Sequence, residues 1–142
     1  MAYHIHHSFT IEASKQAVFE AVTLPKHLDN WWTLKSSGEP KLNAEYNLNF
    51  TDAYNWYCKV SEVKDNEFFY LKMTQSDADW DATTFGFRLK EVEKGTLMEF
   101  EHKNWQENNY HYRHSSFCWA MLLKGLKDYL EKGTVIPFEE RN

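Results

Sequence analysis

Positive charge is scarce in this sequence. Its 142 residues include 16 Lys and Arg against 21 Asp and Glu, which gives a formal net charge of −5 at pH 7, and the basic residues form no run. Proteins that bind nucleic acid carry clusters of Lys and Arg that contact the phosphate backbone. The composition therefore argues against a nucleic-acid partner.

Long apolar segments and paired cysteines are also missing. No stretch approaches the roughly 20 apolar residues that a membrane-spanning helix needs, and the first residues lack the basic and apolar regions of a secretion signal. Cys58 and Cys118 lie far apart and outside any CxxC pair, so we expect both thiols to be reduced. These features predict a cytoplasmic protein without a membrane span.

Proline and glycine are few, whereas aromatic residues are plentiful. Three Pro and five Gly residues form no linker, so we expect one domain over residues 1–142. The chain has 10 Phe, 8 Tyr and 6 Trp, and 42% of its residues are hydrophobic. This composition is typical of a globular domain with a large aromatic core.

The first part of the chain predicts one strand and two short helices. Residues 3–12 alternate between apolar and polar side chains, with His7 on the apolar face, as in a half-buried strand. Ser14 is placed to cap a helix over residues 15–22, and Pro25 to open a second helix that ends at Trp31 or Trp32. Residues 35–38 are expected to form a loop.

The remaining chain predicts about five more strands, within residues 39–105, and then a long helix. Gly86 lies inside one of these strands and predicts a bend or bulge. Apolar residues at helical spacing predict a helix from Ser115 or Ser116 to Glu131, with Gly133 as its cap. Strands that are segregated from helices indicate an α+β fold with an antiparallel sheet.

Three short sequences in this order resemble a known family. They are Phe19-Glu20-Ala21-Val22 leading through Pro25 to Asp29-Asn30-Trp31-Trp32, Leu126-Lys127-Asp128-Tyr129-Leu130-Glu131-Lys132-Gly133, and Ile136-Pro137-Phe138-Glu139-Glu140-Arg141. Together they resemble the START-like (SRPBCC) superfamily, in the branch named after activators of the heat-shock protein 90 ATPase. The resemblance covers essentially the whole chain. It implies a helix-grip fold, in which a curved sheet wraps the long C-terminal helix and leaves a cavity between them.

The resemblance implies more about fold than about activity. The superfamily includes proteins that bind lipids, hormones and aromatic polyketides, and some enzymes. True activators combine a domain of this kind with a separate N-terminal domain, for which 142 residues leave no room. We therefore expect a module that binds a small apolar molecule, with a cyclase or hydrolase as the alternative and a chaperone activator as the third choice.

Aromatic and histidine side chains are the candidates for lining the cavity. The expected residues are His7, Trp56, Phe85, Phe87, Phe100, His102, Phe117 and Met121. Aromatic rings provide pocket walls, and an imidazole can orient a ligand or act as a general base. An enzyme would use His7 and His102 as its acid–base pair. The same side chains could instead fill a solid core that contains hydrogen-bonded histidines.

The sequence has no recognised catalytic or metal-binding motif. It contains no GxSxG elbow, P-loop, dinucleotide fingerprint or HExxH. His102, His111 and His114 could supply three nitrogen ligands to zinc, but no Glu-containing motif accompanies them. Cys118 lies early in the predicted helix, yet no partner base can be assigned to it. We therefore expect neither a metal nor a cofactor.

Overall fold

A seven-stranded antiparallel sheet and three helices make up the part of the chain that the computed structural model describes, residues 2–141. The strands are β1 (Tyr3–Ile11), β2 (Lys35–Ser37), β3 (Glu45–Thr51), β4 (Tyr54–Lys64), β5 (Phe68–Gln75), β6 (Thr84–Val92) and β7 (Gly95–Trp105). The helices are α1 (Lys15–Thr23), α2 (Pro25–Trp31) and α3 (Tyr110–Lys132), and a 3-10 turn follows at Phe138–Glu140. The predicted α+β fold, with two short helices after the first strand and a long C-terminal helix, is confirmed.

The strand order shows how the sheet is built. From β2 to β7 each strand pairs with the next one in the chain, whereas β1 pairs with β7 at the opposite edge. In this last pair Ile5 lies opposite His102, and Ile11 lies opposite Thr96. The first strand of the chain thus completes the sheet beside the last.

The short helices begin where their capping residues predict. The Ser14 side-chain oxygen accepts a hydrogen bond from the Ala17 N–H at 3.1 Å, which satisfies a backbone donor in the first turn of α1. Pro25 occupies the first turn of α2, where its missing N–H is not needed. Both predicted starts are confirmed.

One local prediction is wrong, and a second is wrong for one of its two alternatives. Residues 35–38 are not all loop, because β2 pairs with β3, with Lys35 opposite Asn49 and Ser37 opposite Asn47. This short edge strand is polar, so it has no alternation that would reveal it. Gly86 does not mark a bulge, since its pairing with Tyr70 and Glu101 continues without interruption. A Cβ at Gly86 would overlap the Tyr70 ring, and close packing is thus the reason for glycine.

The long helix α3 begins earlier than its apolar stripe. Its N-cap is Asn109, whose side-chain oxygen accepts a hydrogen bond from the Tyr112 N–H at 3.0 Å, so the predicted start at Ser115 or Ser116 is wrong. The first turns are aromatic and polar and lack the stripe that would have identified them. Gly133 ends α3 in the left-handed conformation at φ 71°, as predicted.

α3 packs against the inner face of the sheet through one side. Its buried residues are Ser115, Trp119, Leu122, Leu123 and Leu126. The Trp119 ring lies 4.5 Å from the ring of Phe100 in β7 and 5.4 Å from that of Phe85 in β6, measured between centroids. Helix and sheet therefore share one aromatic core.

Candidate functional site

A cleft of about 510 Å³ opens at one end of the sheet. It lies between the first half of α3, the β3–β4 hairpin, the connection between β5 and β6, and the C-terminal segment. Its lining residues are Trp32, Phe50, Thr51, Tyr54, Trp56, Asp77, Trp80, His111, His114, Ser115, Cys118, Trp119, Leu122, Phe138 and Glu139. The volume falls within the range of small-molecule sites, which is about 300–1,000 Å³.

The cleft floor is a closed circuit of five aromatic rings from five different parts of the chain: Trp32, Phe50, Trp56, Trp80 and Trp119. Going round the circuit, successive ring centroids are 5.5, 5.4, 4.9, 6.1 and 5.0 Å apart. These separations are typical of favourable aromatic pairs. The rings therefore support one another. Phe50 and Trp56 are half-buried and present apolar surface to the cleft, whereas Trp32, Trp80 and Trp119 are buried and pack behind them.

The Trp80 ring reaches the circuit because its loop is held by hydrogen bonds. The Asp77 Oδ1 accepts a hydrogen bond from the backbone N–H of Trp80 at 2.9 Å, and the backbone carbonyl of Trp80 accepts one from the Thr83 hydroxyl at 2.6 Å. A loop held at both sides of Trp80 gives a fixed ring position. The indole N–H groups of Trp80 and Trp105 are buried and have no hydrogen-bond partner within residues 2–141.

The C-terminal segment forms another wall of the cleft. The Arg141 guanidinium donates to the backbone carbonyls of Asp29 at 3.0 Å, Thr33 at 2.9 Å and Ile136 at 2.8 Å. These bonds fasten the segment against the end of α2. Phe138 and Glu139 are thereby placed at the cleft.

Of the eight residues expected to line the cavity, Trp56 lies in the cleft. Phe85, Phe87 and Phe100 do face inward, but they are buried at 1–2% exposure and fill the space between the sheet and α3. Phe85 lies beneath the circuit, with its ring 5.4 Å from both Trp32 and Trp119. The expectation of an open cavity at these three residues is wrong, because Trp119 occupies that space.

Phe117 and Met121 were expected to face the sheet from the helix, and this placement is wrong. Their exposures are 60% and 44%. Each lies two residues from the buried Trp119, and at 100° per residue two positions turn a side chain by about 200°. They therefore lie on the opposite face of α3.

His102 is a fully buried residue behind the cleft floor. Its Nδ1 accepts from the Trp119 indole N–H at 3.0 Å, and its Nε2 lies 2.8 Å from the Thr83 hydroxyl. Since the Thr83 hydroxyl donates to the Trp80 carbonyl, Nε2 must carry the proton and donate to Thr83. Burial, with a smaller contribution from nearby His111, lowers the pKa of His102 to about 3. His102 is therefore a neutral imidazole whose two nitrogens both have partners.

His7 lies on another side of α3. Its Nε2 donates to the Ser116 carbonyl at 3.2 Å, and its ring stacks on Phe100 at 6.2 Å. Neither His7 nor His102 is among the lining residues of the cleft. The acid–base pair expected from the sequence is not assembled there.

Polar side chains form the rim of the cleft. The His111 Nδ1 lies 2.9 Å from an Asp79 carboxylate oxygen, and its Nε2 lies 3.8 Å from Asp77. The Cys118 sulfur lies 3.4 Å from the His114 Nε2. Burial raises the pKa of the Cys118 thiol above its ordinary value, so this thiol is protonated near neutral pH and is a poor nucleophile.

The described residues contain neither a metal-binding cluster nor a helix that could span a membrane. Within residues 2–141, no three or more His, Cys, Asp or Glu side chains are grouped so that they could hold a metal ion. Over the same range, no helix has both the length and the apolar character needed to cross a membrane.

Several cleft residues escape sequence reasoning. Trp32, Trp80 and Phe138 lie outside strands or at element ends, where no periodicity assigns a direction to a side chain. Phe50 and Tyr54 flank the β3–β4 hairpin turn. Regular pairing across the turn would place Phe50 opposite Asn55. The irregularity between Asn49 and Thr51 shifts the register so that Leu48 lies opposite Trp56, and Phe50 then shares the face of Trp56.

Known structures share this fold over nearly their whole length. The structure described as the Aha1 dimer from Colwellia psychrerythraea has a TM-score of 0.85 and 28% identity, covering 93% of this chain and 98% of that chain. SSP2350 from Staphylococcus saprophyticus has a TM-score of 0.80 and 21% identity, covering 94% and 96%. CalU16 from Micromonospora echinospora has a TM-score of 0.74 and 19% identity, covering 99% and 83%. The last two similarities concern the fold alone.

The sequence itself identifies the family. No curated protein matches the chain. Residues 12–131, however, match the family described as "Activator of Hsp90 ATPase homolog 1-like protein". This match includes α1 to β7 and almost all of α3, and thus most of the cleft. The chain therefore belongs to the activator of Hsp90 ATPase homolog 1-like family, within the START-like superfamily.

Proposed function

We propose that this protein binds a small, largely apolar molecule, aromatic or lipid-like, in the cleft above the five-ring circuit. The circuit of Trp32, Phe50, Trp56, Trp80 and Trp119 is the observation that carries the proposal. Rings packed against one another keep their positions without a ligand, so little ordering is needed when one binds. Such preorganisation favours affinity.

Burial of an apolar ligand of moderate size can supply useful affinity. A ligand that buries roughly 250 Å² of apolar surface gains about 6 kcal/mol before the entropy costs of association. The cleft volume of about 510 Å³ accommodates a molecule of that size. Polar groups at the rim would then orient the ligand and contribute to selectivity.

The chemistry of the rim supports binding more than turnover. The Cys118 thiol has a raised pKa, and His102 is buried with both nitrogens hydrogen-bonded. An enzymatic alternative would depend on His111 and its partner Asp79, 2.9 Å away. Turnover of an ester or polyketide substrate that disappears in His111→Ala would favour that alternative.

Titration with the neutral fluorescent probe N-phenyl-1-naphthylamine tests the binding proposal. We expect a saturable rise in probe emission, together with quenching of tryptophan fluorescence, because four tryptophans form part of the circuit. In Trp56→Ala, the lost ring contact of roughly 60 Å² is worth about 1.5 kcal/mol. This corresponds to about a tenfold increase in Kd.

Two exposed aromatic residues supply matched controls. Tyr54 lines the cleft and is 55% exposed, whereas Phe117 is 60% exposed on the far face of α3. We expect Tyr54→Ala to weaken probe binding and Phe117→Ala to leave it unchanged. Absence of saturable binding, or equal effects of the two variants, would contradict the proposal.

A second candidate function is stimulation of a heat-shock protein 90 ATPase. It is supported by the family and by an exposed row on α3, formed by Tyr110, His114, Phe117 and Met121, whose spacing places them on one helix face. Tyr110 is 75% exposed, and its ring stacks on His114 at 5.3 Å. Exposed aromatic and Met side chains are common at protein interfaces.

An ATPase assay with purified heat-shock protein 90 tests this second candidate. If the row on α3 is the contact surface, Phe117→Ser should reduce stimulation several-fold, whereas Trp56→Ala should retain it. ATP turnover equal to that of the chaperone alone would rule this candidate out.

A further inference from the structure

We infer that the ligand of the cleft carries a positive charge, as a protonated amine or a quaternary ammonium, on an apolar body. This inference rests on the proposed binding function and specifies its ligand class. Within the lipid-like and aromatic molecules considered above, it favours cationic amphiphiles and aromatic amines. Fatty acids and other carboxylates are disfavoured.

The sign of the charge around the cleft is the first observation. Asp77 and Glu139 line it, and Asp79 lies just behind His111 at 2.9 Å. Among residues 2–141, no Lys or Arg contributes to the lining. The side chains of the lining that carry a full charge are therefore carboxylates.

The Arg141 guanidinium is close in sequence to Glu139 but is directed elsewhere. It donates to the carbonyls of Asp29, Thr33 and Ile136 and fastens the C-terminal segment. Its hydrogen-bond donors are therefore directed at backbone acceptors. The guanidinium lies 5.8 Å from the Phe138 ring centroid, but Arg141 itself does not line the cleft. An anionic ligand would find no cationic side chain in the lining with which to pair.

The aromatic circuit is the second observation, independent of the carboxylates. A cation within about 6 Å of an aromatic ring centroid is attracted to the ring face, and tryptophan gives the strongest attraction. Four of the five rings are tryptophan, and neighbouring centroids lie 4.9 to 6.1 Å apart. Trp56 is the tryptophan of the circuit that is only half-buried, and its ring lies 5.4 Å from that of Phe50 and 4.9 Å from that of Trp80. A cation over the exposed part of the Trp56 ring therefore lies near a second ring.

Asp77 joins the two features. Its Oδ1 accepts from the backbone N–H of Trp80 at 2.9 Å, so its carboxylate is held next to the residue that contributes one ring of the circuit, and both residues line the cleft. Its side chain is 35% exposed, and it can therefore meet a ligand without first being uncovered. The Trp80 indole N–H is buried, so it offers no competing donor to an anionic head group.

Three probes that each carry a phenyl ring on a four-carbon chain test the charge preference: 4-phenylbutylamine, 4-phenylbutanol and 4-phenylbutyrate, whose fourth carbon is the carboxylate. Their Kd values for the full chain at pH 7.5 can be measured by calorimetry and by tryptophan fluorescence excited at 295 nm, where the phenyl group does not absorb. We expect the amine to bind at least about fivefold more tightly than the alcohol and the carboxylate to bind most weakly. The preference should shrink as salt is added, because screening weakens exposed charge pairs.

Variants that remove the charge of one carboxylate test whether Asp77 and Glu139 cause the preference for the amine over the alcohol. Asp77→Asn keeps an oxygen that can accept from the Trp80 N–H, and Glu139→Gln alters an exposed side chain, so both are expected to fold. We expect each variant to lower the amine-to-alcohol preference and the double variant to reduce it to about one, while alcohol binding is retained. Glu140→Gln is the matched control, since Glu140 is exposed and does not line the cleft, and it should keep the preference.

The outcomes separate this inference from the function on which it rests. If the alcohol binds and Trp56→Ala weakens it, but the amine shows no advantage, the cleft binds apolar molecules and the inference of a cationic ligand is wrong. A preference that survives in the double variant would also overturn it. If none of the three probes binds, the proposed binding function fails and the charge preference fails with it.

Discussion

Replacing Trp119 with Ala is expected to lower the free energy of unfolding by about 3–5 kcal/mol. Trp119 is 2% exposed and lies at the centre of the aromatic core, 4.5 Å from Phe100 and 5.0 Å from Trp32 between ring centroids. Its indole N–H also donates to the Nδ1 of His102. The substitution therefore creates a cavity and leaves a buried acceptor without a donor. Urea titration followed by far-UV circular dichroism measures the loss.

Two variants make this expectation specific. Trp119→Phe keeps most of the ring volume but loses the N–H, so we expect an intermediate loss of about 1–3 kcal/mol. Phe117→Ala removes an exposed ring from the same helix and should change stability by no more than about 0.5 kcal/mol. A loss below about 1 kcal/mol in Trp119→Ala would show that helix and sheet do not share this core.

His102 is expected to make the free energy of unfolding depend on pH between pH 7.5 and 5.5, where the stability of most proteins changes little with pH. Its folded-state pKa is about 3 against an ordinary value of 6.5, so below pH 6.5 the unfolded chain takes up a proton that the folded chain excludes. The stabilisation is fully present above pH 6.5 and is lost as the pH falls towards 3. Between pH 7.5 and 5.5 we expect this residue alone to lower the unfolding free energy by about 1.4 kcal/mol.

Comparison with His102→Gln isolates this contribution. Stability of the variant is expected to fall by about 1.4 kcal/mol less than that of the parent over the same pH range. Burial, followed by the nearby Lys26, also lowers the pKa of His27, which acts in the same direction, so His27→Gln serves as the second comparison. Asp128 and Glu131 have pKa values lowered by hydrogen bonds from Lys124 and Lys127, and these carboxylates titrate below the window. Equal pH dependence in the parent and His102→Gln would contradict the expectation.

The sequence predicts the parts of the fold in which one periodicity persists. β1 and the second half of α3 follow from alternation and from the stripe that contains Trp119 and Leu126. By contrast, β2 is short and polar, and its place at the sheet edge follows from pairing with β3. The first turns of α3 border the cleft and carry polar and aromatic residues. They therefore lack the apolar stripe from which a helix can be predicted.

The site is harder to predict than the fold. A sequence pattern can show that a side chain points into the core, but it does not show whether that side chain packs against others or lines an open cleft. Phe85 and Phe100 face inward as predicted, yet the Trp119 ring fills the space before them. Trp32 and Trp80 come from an element end and a loop, where side-chain direction depends on tertiary contacts such as the Asp77 bond to Trp80. Trp56 lines the cleft, and its place in β4, two residues before the buried Cys58, is the signal that put it on the inner face; a role for it in ligand binding stays a prediction.

The pairing of β1 with β7 has a consequence for how the chain folds during synthesis. β1 ends at residue 11 and β7 at residue 105, so at roughly 5–20 residues per second the first strand waits about 5–20 s for its partner. During that interval the backbone of β1 has no partner strand, and Ile5 and Ile11, both buried in the finished protein, are not yet held in the sheet. Contacts between distant parts of a chain also form slowly because a long loop must close first. We therefore expect β1 to dock late, and the nascent chain to be most prone to aggregation before β7 has emerged.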